Sequence, residues 1–212
     1  MEARKVAPRD CESETRVAGL VSGVPGARNS CPSLFRAMQL PDSLVIGATP
    51  GYAPALGRLV AMMNFSRMTT LRAAAGLTVA QLDHLQDASS NSIGALLAHV
   101  AAVEVAYQRI TFEGRGLSLP AYDEEWMTAL QLGDAGREKL RGKPLEHYVS
   151  GLEQVREFTL KELARRDDKW LDETAVWNGR QVNNYFKWFH VFEDELNHRG
   201  QIRWLRQRLP AV

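Results

Sequence analysis

The chain has 212 residues, 45% of them hydrophobic, which is enough for one sizeable core and an appendage. Its formal net charge of +1 excludes a strong general attraction to nucleic acid or an acidic membrane surface. The only cysteines, Cys11 and Cys31, make no disulfide framework and no Cys-x-x-Cys pair, so a reducing, cytoplasmic setting is expected.

Residues 1–37 are rich in Gly, Pro and Ser and show no apolar period. Six basic side chains against four acidic ones give this segment +2, leaving −1 for the rest. Such composition predicts a disordered extension, and the interspersed acids argue against an organelle transit peptide. Met38 is a plausible alternative start. The expected organisation is therefore an extension over 1–37 and one domain over 38–212.

Four long helical patterns follow. The first runs from about Tyr52 to Ala75, with Leu56, Leu59, Val60, Met63 and Leu71 on one stripe and Gly76 to end it. "TVAQLDHL" has capping-box spacing between Thr78 and Gln81 and predicts a short helix. The second long helix starts after Asn91 or Ser92 as N-cap and runs to about Phe112. A connection of about thirty residues contains Pro120 and a short helix near "DEEWMTAL"; its length implies a crossover. The third helix starts at Pro144 and runs to about Arg166, with the stripe Leu145, Tyr148, Leu152, Val155 and Leu163. The fourth opens near Asn183 or Asn184 and stops before Pro210. No alternating run bounded by turns is evident, so strands are expected to be absent. The predicted fold is all-α, a four-helix bundle with a long crossover between helices two and three. The apolar stretch around 93–110 is broken by His99 and Glu104, so no membrane span is expected.

Polar residues in apolar stripes carry the chemistry. His99 aligns with Leu96, Val103, Ala106 and Ile110 on the core face of helix two. On helix four the equivalent stripe is Val191, Asp194, His198, Ile202 and Leu205. Asp194 and His198 lie about 40° apart around the axis and one turn apart along it, so both reach one point. A buried carboxylate is costly unless paired or metal-bound. His99, Asp194 and His198 would form a facial two-nitrogen, one-oxygen metal site suited to Zn, Ni or Fe(II). The plainer alternative is a hydrogen-bonded polar network in the core, with Asp194 and His198 in an ordinary i, i+4 contact.

Neighbouring residues are weighed the same way. His190 is a candidate partner for the Asp194 carboxylate or an alternative ligand, with packing as its plainer role. Gln201 leans toward the pocket and could orient water or substrate, or simply be solvated. His84 is expected at the surface. Glu195 is expected to pair with Arg199 at i+4, and no second Glu-x-x-His exists to support a di-iron site. Tyr185, Trp188, Phe189, Phe192 and Leu196 form a second apolar face on helix four, either core or a dimer surface.

"NSIGALLAHVAAVE" and "FHVFEDELNHRGQIRWLRQRLP" together resemble the DinB superfamily, which includes the mycothiol-dependent maleylpyruvate isomerases, over roughly residues 50–210. The resemblance implies a four-helix bundle holding a divalent metal, often Zn or Ni, through His99, Asp194 and His198. The middle position is commonly His in the superfamily; Asp194 stands there in this chain, as a carboxylate does in the isomerase-like members. It also implies a metal-dependent enzyme, such as a transferase using a low-molecular-weight thiol like mycothiol or bacillithiol, acting on a small-molecule substrate, and a homodimer. The alternatives are a metal-dependent hydrolase, or a non-catalytic, stress-related module that binds metal or small ligands. The near-neutral domain and the lack of a basic stripe argue against DNA binding.

Overall fold

The computed structural model describes residues 44–115, 124–177 and 179–210. The extension expected over 1–37, with Cys11 and Cys31, lies outside the described residues, as do Met38 and Pro120. The long helices are α1 (Pro54–Ala74), α3 (Ile93–Thr111), α6 (Leu145–Leu163) and α8 (Asn184–Arg206). Between them come the short helices α2 (Val79–Leu82), α4 (Glu124–Gln131), α5 (Gly133–Lys139) and α7 (Asp168–Asp172), and the strands β1 (Thr174–Trp177) and β2 (Arg180–Asn183).

Local chemistry sets the helix ends. Thr78 and Gln81 form the full capping box of α2, Ser92 caps α3 by accepting from Ala95 N, and Asn183 caps α8 by accepting from Phe186 N. The α1 N-terminus has no such cap of its own, since its N-cap residue is Ala53. The Asp168 carboxylate, over a hundred residues away, accepts instead from Ala55 N and Leu56 N at 3.0–3.1 Å. A negative charge at exposed helical N–H groups satisfies those donors and complements the helix dipole. Helix α6 stops at Leu163, three residues short of the expected Arg166, where Arg165 and Arg166 close single turns on Glu162 and Leu163.

Cross-helix partners give the topology. Gly94 abuts Tyr148 while Gln108 donates to Val155 and Thr159, so α3 and α6 run parallel. Ser66 meets Phe192 and Arg206 meets Ala73, so α1 and α8 are also parallel. His99 faces Asp194 and His198 while Tyr107 faces His190, so α3 and α8 are antiparallel. Two parallel neighbours consecutive in sequence require a crossover, and residues 112–144 supply it, carrying α4 and α5. The helix α5 was not expected, and a positive φ of 55° at Leu132 followed by 66° at Gly133 turns the chain between the two.

The expected absence of strands is corrected. β1 and β2 pair as an antiparallel hairpin, Thr174 opposite Asn183 and Trp177 opposite Arg180. Gly179, between the strands, has φ 73°, the left-handed conformation that a tight hairpin turn requires and glycine best tolerates. The helix α7 that precedes the hairpin was likewise unforeseen.

The core has two apolar clusters. One gathers Leu71, Leu97, Tyr148, Leu152 and Ile202; the other gathers Leu59, Met63, Tyr107, Leu163 and Trp188. Four charged side chains, one per long helix, sit where these clusters meet: Arg67, Glu104, Arg156 and Glu195, each 7% exposed or less. Arg67 donates from Nε to Glu195 and from Nη2 to Glu104, both at 2.8 Å. Arg156 donates from Nε to Glu104 at 2.8 Å and from Nη2 to Glu104 and Glu195. Thr159 adds a 2.6 Å bond to Glu104, and each arginine also caps one carbonyl, Leu152 or Met63. The quartet is electrically neutral and well saturated, the condition under which buried charge is tolerated. The expected Glu195–Arg199 pair is therefore also corrected: Glu195 turns inward to Arg67 and Arg156, and Arg199 donates to Thr69. Helix α3 is apolar and long enough to cross a membrane by composition, yet 78% of that stretch is buried inside the bundle.

Candidate metal centre

Rotation of α8 is set by Glu195, which is fully buried in the quartet. At 100° per residue, its neighbour Asp194 then faces α3, and His198 follows one turn later. The structure brings His99, Asp194 and His198 together with one potential ligand atom from each within 4.8 Å of the others. His99 Nε2 lies 3.7 Å from Asp194 Oδ2, and His198 Nε2 lies 3.5 Å from Asp194 Oδ1. The two imidazoles meet edge to face with centroids 4.6 Å apart. The three side chains are only 12–21% exposed, so the cluster is largely dehydrated but reachable.

The other face of each ring fixes its proton. His99 Nδ1 is 2.9 Å from the Ala129 carbonyl, which can only accept, so Nδ1 holds the hydrogen. His198 Nδ1 donates to Gln201 Oε1 at 3.0 Å. In the neutral rings both Nε2 lone pairs therefore face a carboxylate, acceptor against acceptor. Asp194 Oδ2 is buried without a hydrogen-bond partner among the described residues. Such an arrangement calls for a cation between the groups, either a proton or a metal ion.

Electrostatics follow the same geometry. Burial lowers the His99 pKa, aided by the His198 charge, so this ring stays neutral. Burial alone would also depress His198, but the hydrogen bond and charge of Asp194 outweigh it and raise its pKa. For Asp194 burial opposes ionisation, yet the His198 bond and the nearby imidazoles win and lower its pKa. Tyr107 is pushed up to about 12 by burial and by the Asp194 charge, so it remains a neutral phenol beside the cluster.

A divalent cation fits this set. Tetrahedral coordination with bonds of about 2.0–2.1 Å places ligand atoms about 3.3 Å apart. The histidines lie 3.7 and 3.5 Å from the two carboxylate oxygens and the three ligand atoms within 4.8 Å of one another, so small side-chain shifts would close the set around an ion. A hydrogen-bonded Nδ1 with a free Nε2 is also the usual arrangement of a metal-binding histidine.

The other sequence candidates fall differently. His190 donates to Glu193 at 2.9 Å and stacks on Phe186, so it is turned from the cluster. Gln201 is exposed and holds His198. Trp188 and Phe192 are buried in the bundle, with Trp188 stacked on Phe112, whereas Phe186 and Phe189 are 45% and 43% exposed. Sequence reasoning missed Ala129, whose backbone leaves no side-chain signal. It also missed the charged quartet, although Glu104 interrupts the apolar run of α3.

A family model described as mycothiol S-transferase matches residues 58–211. Among curated proteins none matches the sequence. Two solved structures share the fold. A conserved protein from Enterococcus faecalis is 16% identical, with a TM-score of 0.56, covering 70% of this chain and 93% of that one. An uncharacterised protein from Clostridium difficile 630 is 13% identical, with a TM-score of 0.59, covering 73% and 97%. With nearly three quarters of its length inside the family match, on a crossover four-helix bundle, the chain belongs to the mycothiol S-transferase family of DinB-like proteins.

Proposed function

We propose that this protein is a metal-dependent S-transferase that joins a low-molecular-weight thiol, mycothiol first, to a small electrophile. The carrying observation is the convergence of His99 and His198, each ring anchored from behind, on the Asp194 carboxylate, whose Oδ2 is buried without a hydrogen-bond partner among the described residues. Zn or Ni is the first expectation for the cation, with Fe(II) third. A bound divalent ion would lower the pKa of a coordinated thiol or water, making a nucleophile at neutral pH.

The chain's own groups have distinct parts in this reading. Asp194 supplies the one negative charge, held ionised by its histidine neighbours. His99 offers Nε2 from a ring fixed by Ala129, and His198 from a ring fixed by Gln201. Among the described residues, the cluster holds three ligand residues and no fourth, which favours a reactive site over a closed structural one. Tyr107 presents a neutral phenol for positioning a substrate. The exposed Phe186 and Phe189 on α8 would form part of a homodimer surface, and a cytoplasmic setting would supply the reduced thiol.

The test is thiol conjugation to 1-chloro-2,4-dinitrobenzene by protein loaded with Zn or Ni. Mycothiol, bacillithiol and glutathione would be compared, with His99→Ala as control. Metal-dependent conjugation with mycothiol, lost in the variant, is expected. Turnover equal in the variant, or none with any thiol, would refute the transferase reading.

A further inference from the structure

A second cavity lies away from the metal cluster, between α3, α4, α5 and the N-terminal half of α6. Its volume is about 220 Å³. Leu97, Ala98, Ala101, Trp126 and Leu140 supply apolar walls, and Lys139, Lys143 and His147 stand among the lining residues as exposed polar groups. None of His99, Asp194 or His198 lines it. At 100° per residue, Leu97, Ala98 and Ala101 centre roughly 150° around α3 from His99, so the two sites use different faces of that helix, although Ala129, whose carbonyl holds His99, also lines the cavity.

We propose that this cavity is a binding site for a small aromatic or branched aliphatic carboxylate, distinct from the metal centre. Size sets the apolar part: an engineered cavity of about 150 Å³ binds benzene, so this one holds a ring with a short side chain. Charge sets the polar part. Lys143 has no ion pair among the described residues, and Lys139 is engaged by Glu124 in an exposed bridge, which a ligand carboxylate could replace at little cost. Tyr148 adds its ring to the wall, its hydroxyl buried against Gly94. An apolar chamber with a few polar groups at one side is the usual form of a small-ligand site. The occupant is thus apolar at one end and anionic at the other.

Gly151 offers the means to close the site. It lines the cavity, and a Cβ added there meets nothing within 4 Å, so a larger side chain can start from this position without a clash at Cβ. The experiment is calorimetric titration of phenylacetate and its neutral isostere phenylacetamide into the wild type, His198→Ala, Gly151→Phe and Lys143→Gln. The expected result is saturable phenylacetate binding of equal strength in the wild type and His198→Ala. It should be at least about tenfold weaker for the amide and for Lys143→Gln, one lost charge contact. Gly151→Phe should abolish it while unfolding at no lower temperature than the wild type. Absence of saturable binding would overturn the proposal. So would binding that survives the plug, acid and amide binding alike, or binding lost in His198→Ala, which would assign the acid to the metal centre.

Discussion

Replacing Glu104 by Gln should destabilise the protein more than any surface change, because Glu104 holds together charges from four helices. Its carboxylate is fully buried and accepts from Arg156 Nε and Nη2, Arg67 Nη2 and Thr159 Oγ1 at 2.6–3.1 Å. Removal of its charge leaves two guanidinium groups facing Glu195 alone, a net +1 in the core. Breaking a buried pair in this way costs about 3–5 kcal/mol, whereas removing a complete pair is often close to neutral. At about 2–4 °C per kcal/mol for a chain of this size, the melting temperature should fall by roughly 10 °C. The assay is urea unfolding followed by circular dichroism on Glu104→Gln, Arg156→Met and the double variant. The double variant restores neutrality between Arg67 and Glu195, so it should be more stable than the sum of the single losses by about 1–3 kcal/mol.

The pH dependence has a fixed sign. Burial works against the Glu104 carboxylate, but the charges of Arg156 and Arg67 outweigh it and hold its pKa at about 2, below the ordinary 4.5. A depressed folded value gives stability that is complete above the unfolded value and is lost as pH falls through the folded one. The gap between wild type and Glu104→Gln should therefore be constant above pH 5 and narrow from about pH 4.5 toward pH 2. A single-variant loss under about 1 kcal/mol, strict additivity, or a gap that widens on acidification would refute this account of the quartet.

Further outcomes follow from other contacts. Gly94→Ala should cost about 1–3 kcal/mol, since the added Cβ would meet Tyr148 Oη at 2.7 Å; Tyr148→Phe should recover part of it, as read by thermal melts. Asp168→Ala removes the carboxylate that caps α1 and should lower stability by about 1–2 kcal/mol in urea unfolding, against little change for Asp134→Ala on the surface. Gln201→Ala should weaken Zn binding about 10–100-fold in a chelator competition while leaving the fold intact, because it frees the His198 ring. Zn affinity should fall as pH drops, by about tenfold per unit below the raised His198 pKa, since the ring must shed its proton before coordinating. Affinity independent of pH between 6 and 8 would exclude that competition.

The helices were legible because their stripes are regular and their caps are chemically explicit: Ser92, Thr78 with Gln81, and Asn183 all act as their residue types suggest. The metal candidates were legible because His99, Asp194 and His198 occupy positions that periodicity assigns to apolar groups. The quartet left the same kind of trace, with Arg67 between Met63 and Leu71 and Arg156 beside Val155. Its four members lie on four helices, however, and only the assembled bundle shows which charge meets which. The hairpin escaped because each strand has four residues and the upstream one is mostly exposed, so no burial alternation marked it. The Asn-Gly pair was the one available signal. The role of Ala129 depends on a backbone carbonyl and the crossover path, neither of which residue type encodes.

Metal analysis of the purified protein beside His99→Ala, Asp194→Ala and His198→Ala tests the central claim most directly. The account predicts about one equivalent of Zn, Ni or Fe per chain in the wild type, lost in each variant while helical content is retained. A folded wild type that takes up no divalent metal even after reconstitution would contradict it, leaving the cluster as a protonated Asp–His network.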